Sequence, residues 1–97
     1  SEYAWGMGFH WYEPWRGGEP MFNNVGKVKE AYPDKHPMFT EGCADSYNAE
    51  KIQLWDNGEK YGESIINDLN NGTEAWTDWN ILLDETGGGT PMAADKK

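Results

Sequence analysis

The sequence has little cysteine, little histidine and little basic charge, and each shortage excludes a class of protein. Cys43 is the one cysteine among 97 residues, so the chain forms no internal disulfide framework and has too few thiols for a zinc ribbon or an iron–sulfur site. His10 and His36 are the only histidines. A Cys-His nucleophilic pair has no local support, and Cys43 is expected to be a small buried residue. No metal site and no other cofactor is predicted.

Basic residues are outnumbered by acidic ones, eight against seventeen, which gives a net charge of −9. Such a chain is poorly suited to bind a phosphate backbone or an anionic membrane surface. No segment approaches the roughly 20 consecutive apolar residues that cross a bilayer. We therefore expect neither a nucleic-acid partner nor a membrane-spanning segment.

Tryptophan, by contrast, is abundant, with six copies. Its large rings either fill a core or form platforms on which sugars stack. The chain is long enough for one small core and too short for two. It begins with Ser1 and continues past a glycine run at 87–89 into a polar end, so we expect it to be part of a longer protein.

The pattern along the chain predicts strand, helix, strand, helix, strand. The predicted strands are residues 3–12, 38–40 and 75–83, and the predicted helices are 25–32 and 55–70. Asn23 or Asn24 is expected to cap the first helix, and Gly72 to end the second. A core-facing stripe is expected on the second helix, formed by Tyr61, Ile65, Ile66 and Leu69. Residues 45–53 are polar and irregular.

This order predicts an α/β fold with parallel neighbouring strands joined by right-handed crossovers. Three parallel strands need more sheet to be complete. A (β/α)₈ TIM barrel takes about 250 residues, so a chain of this length corresponds to roughly three strands and two helices of one. Residues 1–97 are therefore interpreted as a fragment of such a barrel.

Glu41 is the strongest catalytic candidate because it follows a short apolar run and precedes Gly42, which would let the chain turn sharply. Catalytic groups in barrels sit where strands end. Retaining glycoside hydrolysis needs two carboxyl groups, and Glu41 can supply the attacking one. Tyr12 could donate its phenol proton to Glu41, and His10 could hydrogen-bond a sugar hydroxyl or the same carboxylate. Solvation of a loop and packing in the core are the ordinary alternatives for these residues.

Trp79 and Trp76 lie on the third predicted strand. Trp79 is nearer the strand's C-terminal end, which makes it the better platform for a substrate ring. Core packing is the safer interpretation of Trp76.

The combined motifs resemble glycoside hydrolase family 30, which includes glucosylceramidases, β-1,6-glucanases and some β-xylosidases. The matching segments, in order along nearly the whole chain, are His10-Trp11-Tyr12, Tyr32-Pro33-Asp34-Lys35, Thr40-Glu41-Gly42-Cys43, Trp55-Asp56-Asn57-Gly58 and Trp76-Thr77-Asp78-Trp79-Asn80. The resemblance implies a retaining β-glycosidase acting on a carbohydrate or glycolipid, as in sphingolipid metabolism.

In that resemblance Glu41 matches the catalytic nucleophile, His10 and Tyr12 match active-site residues, and Trp79 matches a residue lining the glucose subsite. The three strands would be the sixth to eighth of the barrel. The family's general acid lies in an Asn-Glu pair, which this chain lacks. The resemblance thus implies a fragment with the nucleophile but without the acid/base, inactive alone. The sequence leaves the location unknown, and a secreted or periplasmic parent protein is compatible with it.

Two other interpretations stay open. One is a non-catalytic carbohydrate-binding fragment that stacks sugars on Trp79, Trp11 and Tyr12. The other is a truncated product with no function of its own.

Overall fold

The computed structural model describes residues 2–13, 17–43, 50 and 54–83. They form an alternating α/β fold. The strands are β1 (Gly6–Phe9), β2 (His36–Phe39) and β3 (Ala75–Trp76), and the helices are α1 (Asn23–Ala31) and α2 (Trp55–Asn70). The predicted order of elements is confirmed. The glycine run at 87–89 and, apart from Glu50, the polar stretch at 45–53 lie outside the described residues.

The three strands form one parallel sheet in the order β1-β2-β3. Phe9 pairs with Phe39, and Phe39 pairs with Trp76, so these three rings lie on one face. Both crossovers advance in the same direction, and right-handed connections therefore place α1 and α2 on a single face of the sheet. The predicted parallel arrangement is confirmed.

Two of the strands are shorter than predicted. β1 has four residues and β3 has two, because the middle strand β2 offers only the backbone groups of residues 36–39. Past β3, the Thr77 N–H still donates to the Phe39 carbonyl at 2.9 Å, after which the chain leaves the edge of β2. Hydrophobic alternation predicts where a strand can form, whereas its length depends on its partner.

α1 begins without the predicted asparagine cap. The cap position is Phe22, no side chain caps the helix, and Asn23 and Asn24 already lie in its first turn. The Phe22 ring packs edge-on against Trp11 with centroids 4.7 Å apart. Ring packing thus fixes how the chain enters the helix. The helix ends at Ala31, just before Tyr32 and Pro33.

α2 has the predicted bounds, but a different face is buried. Ser64 and Asp68 are buried, whereas Ile66 and Leu69 are 60% and 48% exposed. Of the expected stripe, Tyr61 does face the sheet, where it packs against Trp76, but the prediction is wrong for Ile66 and Leu69. The helix is rotated so that Asp68 faces the sheet, where it accepts a hydrogen bond from the Trp76 indole. Gly72, with φ +97°, follows the end of the helix as expected.

The core lies between the helices and the sheet and is largely aromatic. Phe39, 2% exposed, is central to it: Phe9 packs edge-on at 5.6 Å, and Trp76 stacks on it at 4.6 Å with an interplanar angle of 13°. Val25 of α1 is also buried. Neither described helix has the length and apolar character that crossing a bilayer requires.

Candidate active site

Glu41 lies two residues beyond β2, at the edge of the sheet where its strands end. The Thr40 N–H donates to the Phe9 carbonyl at 2.9 Å, which keeps this segment against β1 up to the residue before Glu41. The Glu41 side chain is about one-third exposed, at 36%. A carboxylate in this place is both supported by the sheet and open to a ligand.

Tyr12 and His10 lie beyond the end of β1, beside Glu41. The Tyr12 hydroxyl donates to Glu41 Oε2 at 2.6 Å, and His10 Nδ1 lies 3.4 Å from the same oxygen. The expected contact between the phenol and the carboxylate is therefore present. Both contacts converge on Oε2, which leaves Oε1 outside them. The arrangement orients one carboxylate oxygen and presents the other.

The Tyr12 phenol keeps its proton throughout the physiological range. Burial raises its pKa well above the usual value, and the hydrogen bonds to Glu41 and Cys43 raise it further. An unprotonated phenol would place a second negative charge against the carboxylate, which both burial and Coulomb repulsion oppose. Tyr12 is thus a stable donor to Glu41.

Cys43 is half-buried, not the fully buried residue expected. Its Sγ lies 3.9 Å from the Tyr12 hydroxyl, within hydrogen-bonding range for a thiol. It therefore contacts the residue that donates to Glu41. The loop after β2 thus contacts the Tyr12 hydroxyl through two side chains, those of Glu41 and Cys43.

The two tryptophans after α2 have different environments. Trp76 packs in the core against Phe39, as expected. Trp79 is 37% exposed, and its main-chain N–H donates to the Gly42 carbonyl at 2.6 Å. The segment after β3 is therefore fastened to the residue that follows Glu41.

Gly42 is needed at its position for a reason other than the predicted sharp turn. Of the described glycines only Gly17 and Gly72 have positive φ. A Cβ on Gly42 would instead lie 2.6 Å from Phe39 Cε1 and 2.9 Å from Trp76 Cη2, closer than carbon atoms pack. Only glycine fits at this position, because the rings of Phe39 and Trp76 pack against its main chain and leave no room for a Cβ.

Sequence reasoning also missed Asp68, a carboxylate with no exposed surface. Its Oδ2 accepts from Trp76 Nε1 at 3.0 Å. The available signal was its spacing: Asp68 follows Ser64 by four residues and Tyr61 by seven, which places all three on one face of α2. The greater hydropathy of Leu69 favoured the neighbouring face.

Across the part of the chain that the structure describes, no three His, Cys, Asp or Glu side chains are grouped as metal ligands.

Comparison with known proteins agrees with the motifs. The model of the glycosyl hydrolase family 30 TIM-barrel domain matches residues 1–94. Putative glucosylceramidase 4 of Caenorhabditis elegans is 32% identical over 90 residues, and the lysosomal acid glucosylceramidase of Mus musculus is 31% identical over 91 residues. Each alignment covers 91% of this chain and 17% of the relative, so the chain spans a small part of their length.

Among solved structures, the crystal structure of SrfJ from Salmonella typhimurium has a similar fold. The TM-score is 0.69 at 27% sequence identity, and the match covers 88% of this chain and 18% of SrfJ.

Proposed function

The chain belongs to glycosyl hydrolase family 30, as its motifs predicted, and from this premise we propose that Glu41 is the nucleophile of a retaining β-glycosidase. The observation that carries the proposal is the 2.6 Å hydrogen bond from the Tyr12 phenol to Glu41 Oε2. The bond holds Oε2 in place, so that Oε1 can face a substrate. His10 Nδ1, 3.4 Å from the same Oε2, adds a second polar contact on that side.

In the proposed mechanism, Oε1 of Glu41 attacks the anomeric carbon of a β-glucoside. The glycosidic bond breaks as a general acid protonates the leaving oxygen. Water, deprotonated by the same residue now acting as a base, then releases the sugar and regenerates Glu41. The acid/base lies outside this chain, about 5 to 5.5 Å from Glu41 as retention requires. His10, Tyr12 and Trp79 contact the substrate.

The same proposal includes the architecture. Residues 1–97 supply the sixth to eighth strands of a (β/α)₈ barrel, whose other strands belong to a longer protein. Support comes from the sheet, in which β1 and β3 are both edge strands that a closed barrel would pair. The chain alone is expected to be inactive, since loss of the general acid typically costs ~10² to 10⁴ in rate.

The names of the relatives support a substrate class. Two of them are named glucosylceramidases, which supports a β-glucoside such as a glucosylated lipid, with a β-1,6-glucan as the alternative. The mouse relative is named lysosomal, which supports a parent protein that acts outside the cytosol. Cell fractionation with detection of the parent protein tests this location, and recovery in the cytosol would contradict it.

The decisive experiment compares the full-length protein containing this chain with its Glu41→Gln variant. Hydrolysis of 4-nitrophenyl β-glucoside is expected to fall by about 10³-fold or more, as when other nucleophiles are removed. Glu30→Gln, an exposed position on α1, is the matched control and should keep normal activity.

Covalent capture gives a second readout. A 2-deoxy-2-fluoro-glucoside with a good leaving group should label the peptide that contains Glu41, detected by mass spectrometry. Undiminished hydrolysis in Glu41→Gln would overturn the nucleophile assignment. Sugar binding without hydrolysis in the wild-type protein would favour the carbohydrate-binding alternative.

A further inference from the structure

Asp68 is a buried carboxylate that the proposed chemistry does not use. Its side chain is fully enclosed between α2 and the sheet. Burial raises its pKa to about 6, and the hydrogen bond from the Trp76 indole only partly opposes this rise. Burying a carboxylate is costly compared with burying a hydrocarbon of similar size. A residue of this kind on the inner face of a helix therefore calls for a role beyond packing.

A short series of contacts connects Asp68 to Glu41. Asp68 Oδ2 accepts from Trp76 Nε1 at 3.0 Å, and the Trp76 ring stacks on Phe39. Both rings close over Gly42, where a Cβ would lie 2.9 Å from Trp76 Cη2 and 3.1 Å from Cζ2. Gly42 is bonded directly to Glu41. The position of the indole thus sets where the main chain beside Glu41 can lie.

The hydrogen bond selects one orientation of the indole. Tryptophan χ2 has a broad, roughly two-fold preference, so stacking alone does not fix which ring edge faces Gly42. In the observed orientation Nε1 meets Asp68 while the neighbouring atoms Cζ2 and Cη2 meet Gly42. Rotating Trp76 χ2 by about 180° would break the hydrogen bond to Asp68 and, at the same time, move Cζ2 and Cη2 away from Gly42.

We propose that Asp68 is a positioning residue for Glu41: by accepting the Trp76 N–H it holds the indole edge on which the Gly42 main chain rests. The proposal rests on the proposed function, because its effect is exerted on the nucleophile. Tyr12 and His10 hold the Glu41 carboxylate, whereas Asp68 acts through packing on the main chain behind it. A displacement of about 1 Å at a reacting group can cost 10²-fold in rate.

The test uses the full-length protein and three variants. Asp68→Leu removes the acceptor at similar size, and kcat for 4-nitrophenyl β-glucoside is expected to fall by about 10- to 100-fold with KM nearly unchanged. Asp68→Asn keeps an acceptor oxygen for the indole and should retain kcat within about threefold. Asp56→Asn, an exposed position in the first turn of α2, is the matched control.

A variant that does not fold leaves the test intact, because Trp76→Phe removes the same hydrogen bond from the other side. Its kcat should fall at least as far as in Asp68→Leu, because it also removes the ring atoms that meet Gly42. The double variant should fall no further than Trp76→Phe, since Asp68 acts only through the indole. Additive losses, or normal kcat in Trp76→Phe, would overturn the positioning role. Loss of activity in Glu41→Gln with normal kcat in Asp68→Leu would refute this proposal alone, whereas normal activity in Glu41→Gln would refute the nucleophile assignment.

Discussion

Replacing Gly42 by alanine perturbs the contact on which the geometry of Glu41 depends. The new Cβ would lie 2.6 Å from Phe39 Cε1 and 2.9 Å from Trp76 Cη2, about 1 Å inside the preferred separation of carbon atoms. Phe39 is 2% exposed and cannot yield, and Trp76 is held by the Asp68 carboxylate. The main chain must therefore move.

Such overpacking costs about 1–3 kcal/mol of folding stability. A protein with ordinary stability of ~5–15 kcal/mol stays folded after that loss, so unfolding would not reduce its activity at 25 °C. A main-chain shift of about 1 Å next to Glu41, the proposed nucleophile, would nevertheless lower kcat by about 10²-fold. Gly42→Ala should thus show a modest loss of stability and a much larger loss of activity.

The assay pairs thermal unfolding with kcat measurements on the full-length protein. Gly62→Ala is the matched control, because its Cβ would meet no atom within 4 Å in α2. Alanine in a helix interior should raise stability there by about 0.5–1 kcal/mol and leave kcat unchanged. Both variants replace glycine by alanine. A melting temperature that falls in Gly42→Ala and rises in Gly62→Ala would therefore isolate the effect of the Phe39 and Trp76 rings. A Gly42→Ala protein with normal melting temperature and normal kcat would refute the reasoning.

Three further predictions follow from single contacts. Tyr12→Phe removes a charge-assisted hydrogen bond worth about 1.5–3 kcal/mol, so kcat/KM should fall by about 10- to 100-fold; an unchanged value would mean that the phenol does not support Glu41. The pKa of Asp68, about 6 when folded and ~3.9 when unfolded, means that the folded state binds the extra proton between these values. Wild-type stability should therefore fall relative to Asp68→Asn by about 3 kcal/mol as the pH rises from about 3 to 7, with about 2 kcal/mol of this between pH 4 and 6, and a pH-independent difference in urea unfolding would contradict this. Gly6→Ala would place a Cβ against the His36 carbonyl oxygen, so the melting temperature should fall; a melting temperature equal to wild type would show that β1 and β2 do not pair as closely as described.

The element order could be predicted because its signals are local. Pro33 ends α1 by its missing N–H, and Gly72 supplies the positive φ that follows α2. The meeting of Tyr12 with Glu41 was also predictable, because the C-terminal ends of adjacent parallel strands share one edge of the sheet. Family motifs reinforced both conclusions.

Features that depend on a distant partner could not be predicted. β3 pairs over two residues because β2 ends at Phe39, and nothing within residues 75–83 encodes that limit. Asp68 is buried in place of Leu69 because Trp76, eight residues later, carries a donor that needs an acceptor. Gly42 likewise matched a turn signal, whereas its real constraint comes from Phe39 and Trp76.

The two supports of Glu41 are not equivalent. The hydrogen bond from Tyr12 is 2.6 Å long, and hydrogen bonds lose their strength when donor and acceptor move apart by a few tenths of an ångström beyond 3 Å. A main chain displaced at Gly42 therefore weakens that bond as well, whereas loss of the phenol leaves the rings over Gly42 in place. Packing against the Gly42 main chain therefore limits where Glu41 can lie, and the contacts from Tyr12 and His10 form only within that limit. If Glu41 is the nucleophile, as we propose, this dependence is how Asp68, a buried carboxylate on α2, would affect the oxygen that reacts.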